Sequence, residues 1–335
     1  MDGELRSRVT RGLLGALVVA LVGDGAVGTE RSVHTYSIVA RDKKNGQFGV
    51  AVQSHWFSVG PVVPWAEAGV GAVATQSLVK ISYGPKGLAL MRQGSSAQQA
   101  LDTLLADDPR RDVRQVAMID SQGRVATHTG SNCIEAAGHY IGDNYSVQAN
   151  LMLNDSIVPA MREAYESAKG DLADRMLAAL AAAQSAGGDI RGRQSAAILV
   201  VSGERETEPW QGRIMELRVE DHPNPVKELK RLVGLHRAYQ HSNRGDELVE
   251  KGRIDDAMRA YAKAAQLAPG IVELRFWQAV TLFGAGDEEK ALRLFKEVFK
   301  EEPIWVKVVP RVVPAGFLPD DQQVLKRITD QAPRR

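Results

Sequence analysis

The sequence predicts an α+β layered sandwich of roughly two hundred residues followed by a small all-α tail. Three observations carry this reading. Several strand-like runs are apolar on both faces, helical segments fall in groups between them, and the C-terminal part repeats with a helical period. Strands of the first kind are covered on both sides rather than half solvated, which suits a layered core.

The first predicted hairpin joins Thr35-Tyr36-Ser37-Ile38-Val39-Ala40-Arg41-Asp42 to Phe48-Gly49-Val50-Ala51-Val52-Gln53-Ser54-His55. Asn45-Gly46 between them is read as a two-residue type I′ turn, which needs positive φ at both central positions. That loop sets Lys44 opposite Gln47, Ser37 opposite Ser54 and Thr35 opposite Trp56. Alternation then places Thr35, Ser37, Ser54 and Trp56 on one face, with Gln53 on the other. Residues 70–74 and 196–201 repeat the doubly apolar pattern, and residues 116–120 and 124–127 form a second hairpin around Gln122-Gly123. Met215, Leu217 and Val219 alternate with charged residues, as an edge strand with one wet face would. Ser96 and Gln99 make a capping box ahead of a helix. Residues 157–167 and 172–183 read as two more helices.

Past Arg231 the chain turns to helix formers. The segment from Ala238 aligns on the segment from Val272 with a period of 34 residues. Leu248 meets Leu282, Gly252 meets Gly286, Ala257 meets Ala291, Tyr261 meets Phe295 and Pro269 meets Pro303. This is the tetratricopeptide (TPR) period, and it predicts two helical hairpins over residues 236–303 with a capping segment over 304–335. Two such units are fewer than independent stability usually requires, so the tail is expected to dock on the preceding domain or on a partner.

Composition excludes several classes. A net charge of +1 with mixed signs along the chain argues against nucleic acid. The single cysteine, Cys133, forbids an internal disulfide and a cysteine-rich zinc site. No dinucleotide, Walker or His-Glu-x-x-His pattern is present, so no cofactor or metal is expected. Arg6, Arg8 and Arg11 ahead of an apolar run at 12–22, then Ala26-Val27-Gly28, read as a signal peptide over 1–28. Export to the periplasm or beyond is the expectation, with a short pro-segment or linker at 29–34 and no membrane span in the mature chain.

From Thr35 to about Leu232 the chain resembles the DUF1028 family, which looks like a branch of the Ntn (N-terminal nucleophile) hydrolases. The resemblance rests on Tyr36-Ser37-Ile38-Val39-Ala40-Arg41-Asp42, Gly69-Val70-Gly71-Ala72-Val73-Ala74-Thr75-Gln76, Tyr83-Gly84-Pro85, Arg114-Gln115, Thr129-Gly130 and Gly138-His139. Its most specific stretch is Gly187-Gly188-Asp189-Ile190-Arg191-Gly192-Arg193-Gln194-Ser195, and Asp221-His222-Pro223 closes it. Ala136 and Ala149 depart from the family pattern, which has Trp and Gly there. The resemblance implies a four-layer αββα sandwich over 35–232. Some family members carry a C-terminal extension proposed to bind peptidoglycan, which this tail also resembles.

The Ntn arrangement uses one residue twice: its side chain attacks a carbonyl and its own α-amine takes the proton. A free α-amine titrates near 7.7–8.0, close enough to neutrality for that work. Thr35 opens the first strand of the domain and is the candidate nucleophile, once its amine is freed by trimming or by self-cleavage on the His34 carbonyl. The competing reading is an ordinary strand threonine. Ser37 and Ser54 are placed in the same pocket, against the alternative of buried hydroxyls bonded to backbone. Asp189, Arg191 and Arg193 are candidate substrate-binding groups on a Gly-rich turn, since arginine suits a carboxylate, or else a salt bridge pinning that turn. His128 and His139 are candidate substrate-binding residues that could act as acids or bases, against the alternative of structural histidines. The expected activity is amide hydrolysis on a small amide or peptide-like substrate. The alternative is an inactive binding module whose tail docks a protein or cell-wall partner.

Overall fold

The computed structural model describes residues 32–208 and 210–333. The expected signal peptide at 1–28 and residues 29–31 of the pro-segment lie outside the described residues. The chain begins with β1 (Ser32–Val33), β2 (Thr35–Arg41), β3 (Phe48–Ser54), β4 (Pro64–Glu67) and β5 (Gly71–Leu78), then α1 (Tyr83–Arg92) and α2 (Ala97–Ala106). Next come β6 (Arg114–Asp120), β7 (Val125–Thr129), β8 (Gly138–Gly142), β9 (Tyr145–Ala149), α3 (Ile157–Ser167) and α4 (Leu172–Ser185). After β10 (Ser195–Val201) and β11 (Arg213–Val219) the rest is helical: α5 (Pro225–Glu250), α6 (Ile254–Leu267), α7 (Val272–Gly284), α8 (Glu288–Glu301) and α9 (Gln322–Thr329).

Two antiparallel sheets face each other. In the first, β1 and β4 both pair with β5, which continues to β6 and β7. The second runs β11-β10-β3-β2-β9-β8, which puts the half-wet strand β11 at an edge as its alternation predicts. Val39, Val50 and Val52 meet Ala72, Ala74, Ala117 and Ile119 between the sheets. Helices α1 and α2 cover the outer side of the first sheet, and α3, α4 and the start of α5 cover the second. Each central strand is therefore buried twice, which is why its sequence reads as continuously apolar. The capping box at Ser96 and Gln99 is formed.

The first hairpin corrects the expected register. Thr35 pairs with Ser54 and Ser37 with Val52, so Thr35 does not face Trp56 and Ser37 does not face Ser54. The cause is the turn. Asp42 N donates to Gln47 O at 2.8 Å and Gly46 N to Asp42 O at 2.8 Å, closing a wider loop over 43–46. Asp42 Oδ1 accepts from Lys44 N at 2.7 Å and Asn45 Oδ1 from Gln47 N at 3.0 Å. These side-chain turns hold the loop with one positive φ, +75° at Gly46, where a type I′ turn would need two. The slip is by two residues, an even number, so the faces survive. Thr35, Ser37 and Ser54 still point between the sheets, and Gln53 still points the other way, beside Tyr36.

Strand β1 belongs to the first sheet, with Val33 opposite Ser77, whereas β2 belongs to the second. The chain thus crosses the sandwich interior at His34. At the other end, α5 serves both halves of the molecule: its start packs on β10, β11 and α4, and its end packs on α6. Arg237 fastens it to α4 through Asp171 at 2.7 Å and Asp174 at 2.9 Å. Helices α6 and α8 are offset by 34 residues at both ends. Helix α9 lies within the segment over 304–335 expected to cap the tail. Among the described residues no helix is long and apolar enough to cross a membrane.

Candidate active site

Glutamine in the middle of an apolar strand costs free energy unless its amide is fully bonded. Gln76 on β5, Gln115 on β6 and Gln148 on β9 all lie between the sheets and find each other there. Gln76 Nε2 donates to Gln115 Oε1 at 2.7 Å. Ser37 Oγ donates to Gln76 Oε1 and accepts from Gln148 Nε2, both at 2.6 Å. Asn150, just past β9, donates through Nδ2 to Gln115 Oε1 at 2.9 Å and meets His34 Nδ1 with Oδ1 at 2.7 Å. Thr35, Ser37, Ser54, Gln76, Gln115, Gln148 and Asn150 are all fully buried. Positive φ angles at Ser77 (71°) and Leu151 (57°) sit immediately after two members of this network. Strain of that kind persists where the surroundings over-determine it, and it gathers at functional sites.

The network ends on a peptide carbonyl. The His34 oxygen accepts from Ser54 Oγ at 2.5 Å and from Arg191 Nη2 at 2.8 Å. Asp189 fixes that guanidinium, with Oδ1 3.0 Å from Arg191 Nε and Oδ2 2.7 Å from Nη2. Asp189 Oδ2 also accepts from the His55 backbone N–H at 3.1 Å. The next residue is Thr35, whose hydroxyl donates to Val33 O at 3.0 Å. One peptide carbonyl is thus held by a hydroxyl and a cation, directly before a buried threonine.

Residues 35–229 match the family of unknown function DUF1028. The chain belongs to this family. It is also similar to the crystal structure of protein SPO2555 from Silicibacter pomeroyi, which carries the same family match. The two are 31% identical with a TM-score of 0.54, over 60% of this chain and 85% of that one. No curated protein matches the chain.

Within the DUF1028 domain, Thr35, Ser54, Asp189 and Arg191 come together around His34. Ser37, two residues further along β2, does not touch the His34 carbonyl; its hydroxyl is bonded to Gln76 and Gln148 instead. Arg193 points away from this cluster. Its Nη1 donates to Asn224 Oδ1 at 2.6 Å, on the rim of a cavity of about 520 Å³ between α4 and the start of α5. That cavity lies beyond the second sheet from Thr35. His139 is linked to the cluster at a distance: its Nδ1 meets Thr129 Oγ1 at 2.8 Å, and that oxygen accepts from Gln115 Nε2 at 2.9 Å. Burial, aided by the charge of nearby His128, pushes the His139 imidazole below its ordinary pKa. His128 itself contacts the Arg111 carbonyl at 2.8 Å and does not join the network. Burial raises the pKa of the Cys133 thiol, which disfavours the thiolate and makes it a weak nucleophile. The residues that sequence reasoning missed are Gln76, Gln115, Gln148 and Asn150. The available signal was the cost of a carboxamide in a doubly apolar strand.

Proposed function

We propose that this DUF1028 chain is an exported N-terminal-nucleophile amide hydrolase acting on a small amide or peptide-like substrate. The observation that carries the reading is the His34 carbonyl, polarised by Ser54 and Arg191 next to the Thr35 hydroxyl. Donors held in place around a carbonyl oxygen stabilise the charge that gathers there when a nucleophile adds to the carbon.

In processing, Thr35 Oγ bonds to the His34 carbonyl carbon and the His34–Thr35 C–N bond breaks. The hydroxyl proton passes to the departing nitrogen, which becomes the Thr35 amine. Water then splits the resulting ester, leaving a His34 carboxylate and restoring the hydroxyl. An external amide follows the same course, with the Thr35 amine as proton acceptor and Ser54 and Arg191 on the substrate oxygen. The family resemblance to the Ntn hydrolases supports the same assignment.

Mass spectrometry of the mature amino terminus tests the proposal. The expected mature chain starts at Thr35, and Thr35→Ala keeps the His34–Thr35 bond and loses amide hydrolysis by about a thousandfold or more. A mature chain starting near Thr29, or a Thr35→Ala variant with undiminished hydrolysis, overturns it.

A second reading, a non-catalytic module whose TPR-like tail docks a protein or cell-wall partner, is favoured by one observation. Tyr239, Asp246, Glu273, Trp277 and Phe317 line a cleft of about 220 Å³ in the tail, with Phe317 54% exposed. A chain starting near Thr29 with no hydrolase activity would favour this module.

A further inference from the structure

If Thr35 attacks the His34 carbonyl, the His34 side chain occupies the acyl side of the site. What holds that side chain therefore describes the substrate. His34 is 2% exposed, with its Nδ1 2.7 Å from Asn150 Oδ1.

The polarity of this contact follows from the backbone at the far end of the network. Gln115 Nε2 lies 2.9 Å from the Ala149 carbonyl and 3.2 Å from the Gly138 carbonyl. Carbonyls only accept, so the nitrogen of the Gln115 amide must be on that side. Its oxygen then faces Asn150 and accepts from Nδ2, which turns Asn150 Oδ1 toward His34. An acceptor in that position requires a proton on His34 Nδ1. Burial pushes the imidazole below its ordinary pKa and Arg191 adds to this, against the Asn150 hydrogen bond and Asp189, which raise it. The ring is therefore neutral and carries its hydrogen on Nδ1.

We infer that the acyl pocket of this site selects side chains with a neutral N–H donor attached at Cγ, so that its substrates are histidyl and asparaginyl amides. The inference rests on the reading of Thr35 as nucleophile. Histidine Nδ1 and asparagine Nδ2 occupy the same position, one bond beyond Cγ. Leucine has the shape of asparagine but brings a methyl group there, leaving Asn150 Oδ1 buried without a donor. Selection comes from that unpaired acceptor, and the network behind Asn150 prevents its amide from turning over to compensate.

The test uses the full-length chain with residue 34 varied, following release of the Thr35 amine by mass spectrometry. His34→Asn is expected to be processed within about threefold of the wild-type rate and His34→Leu about tenfold more slowly or worse, the cost of one buried acceptor left unpaired. In an Asn150→Ala background the gap between the two variants closes, which a merely structural Asn150 would not produce. Processed wild-type protein is then offered histidyl, asparaginyl and leucyl p-nitroanilides, with the first two expected to react faster. Equal processing of His34→Asn and His34→Leu, with equal turnover of the three anilides, overturns the inference and leaves the nucleophile standing. A wild-type chain that never frees Thr35 overturns both.

Discussion

At the scale of single residues, the interior of this sandwich is held by a few fully bonded polar groups. Arg114 is one. It is buried, with Nε 2.9 Å from Asp108 Oδ2 and Nη1 2.6 Å from the Leu78 carbonyl. Tyr83 adds its hydroxyl to Asp108 at 3.1 Å. Arg114 precedes Gln115, so this ion pair anchors the strand that carries the centre of the network. Burial opposes the Asp108 charge, but the hydrogen bonds from Arg114 and the backbone of Arg110 outweigh it and hold the carboxyl at about 2, below its ordinary 3.8. A depressed carboxyl stabilises the fold above its unfolded pKa, and that contribution disappears as pH falls through the folded value. Lowering the pH from about 4 to about 2 is therefore expected to remove about 2 kcal/mol, seen as a falling midpoint in acid denaturation. Asp108→Asn strands a buried guanidinium and should cost about 3–5 kcal/mol in urea melts at neutral pH, with most of the acid dependence in this window gone.

At the scale of elements, the first hairpin shows what period and turn chemistry each determine. Alternation assigned Thr35, Ser37 and Ser54 to one face, and a two-residue slip could not change that. The register could not be read the same way, because it depends on the hydrogen bonds that Asp42 and Asn45 make within the loop. Gly46→Ala is expected to cost about 1–2 kcal/mol in thermal or chemical melts, since an L side chain resists the positive φ of this turn. The site was legible in the same partial manner. Strand polarity marked Thr35, and the Gly-rich turn marked Asp189 and Arg191. Their convergence on one carbonyl depends on pairings between residues more than a hundred positions apart. Strands β8 and β9 were not foreseen, nor was α1. Its Tyr83-Gly84-Pro85-Lys86-Gly87 start is poor in helix formers. It is helical because it packs closely: a Cβ on Gly84 would lie 2.3 Å from the Trp65 ring. Tertiary contact overrode propensity there.

At the scale of the whole molecule, the expectation that two helical units must lean on a neighbour takes a specific form. The tail does not meet the sandwich through a linker; α5 begins as the sandwich's own covering helix and ends as the first helix of the tail. Calorimetry of the full chain is expected to show one main unfolding transition. Removing residues 233–335 cuts α5 and discards Arg237, leaving Asp171 and Asp174 at the start of α4 without that partner, so the midpoint of the remaining domain should fall by several degrees. Two well-separated transitions in the intact chain, or a truncated domain that melts unchanged, would show that the halves are energetically independent. A shared helix also makes the geometry of the molecule a matter of counting. Each residue inserted into or deleted from α5 between its two packed stretches would turn the tail about 100° around the helix axis and shift it about 1.5 Å. A flexible tether tolerates length changes smoothly. This junction instead works like a keyed shaft, on which only changes close to whole helical turns leave the tail facing the same way.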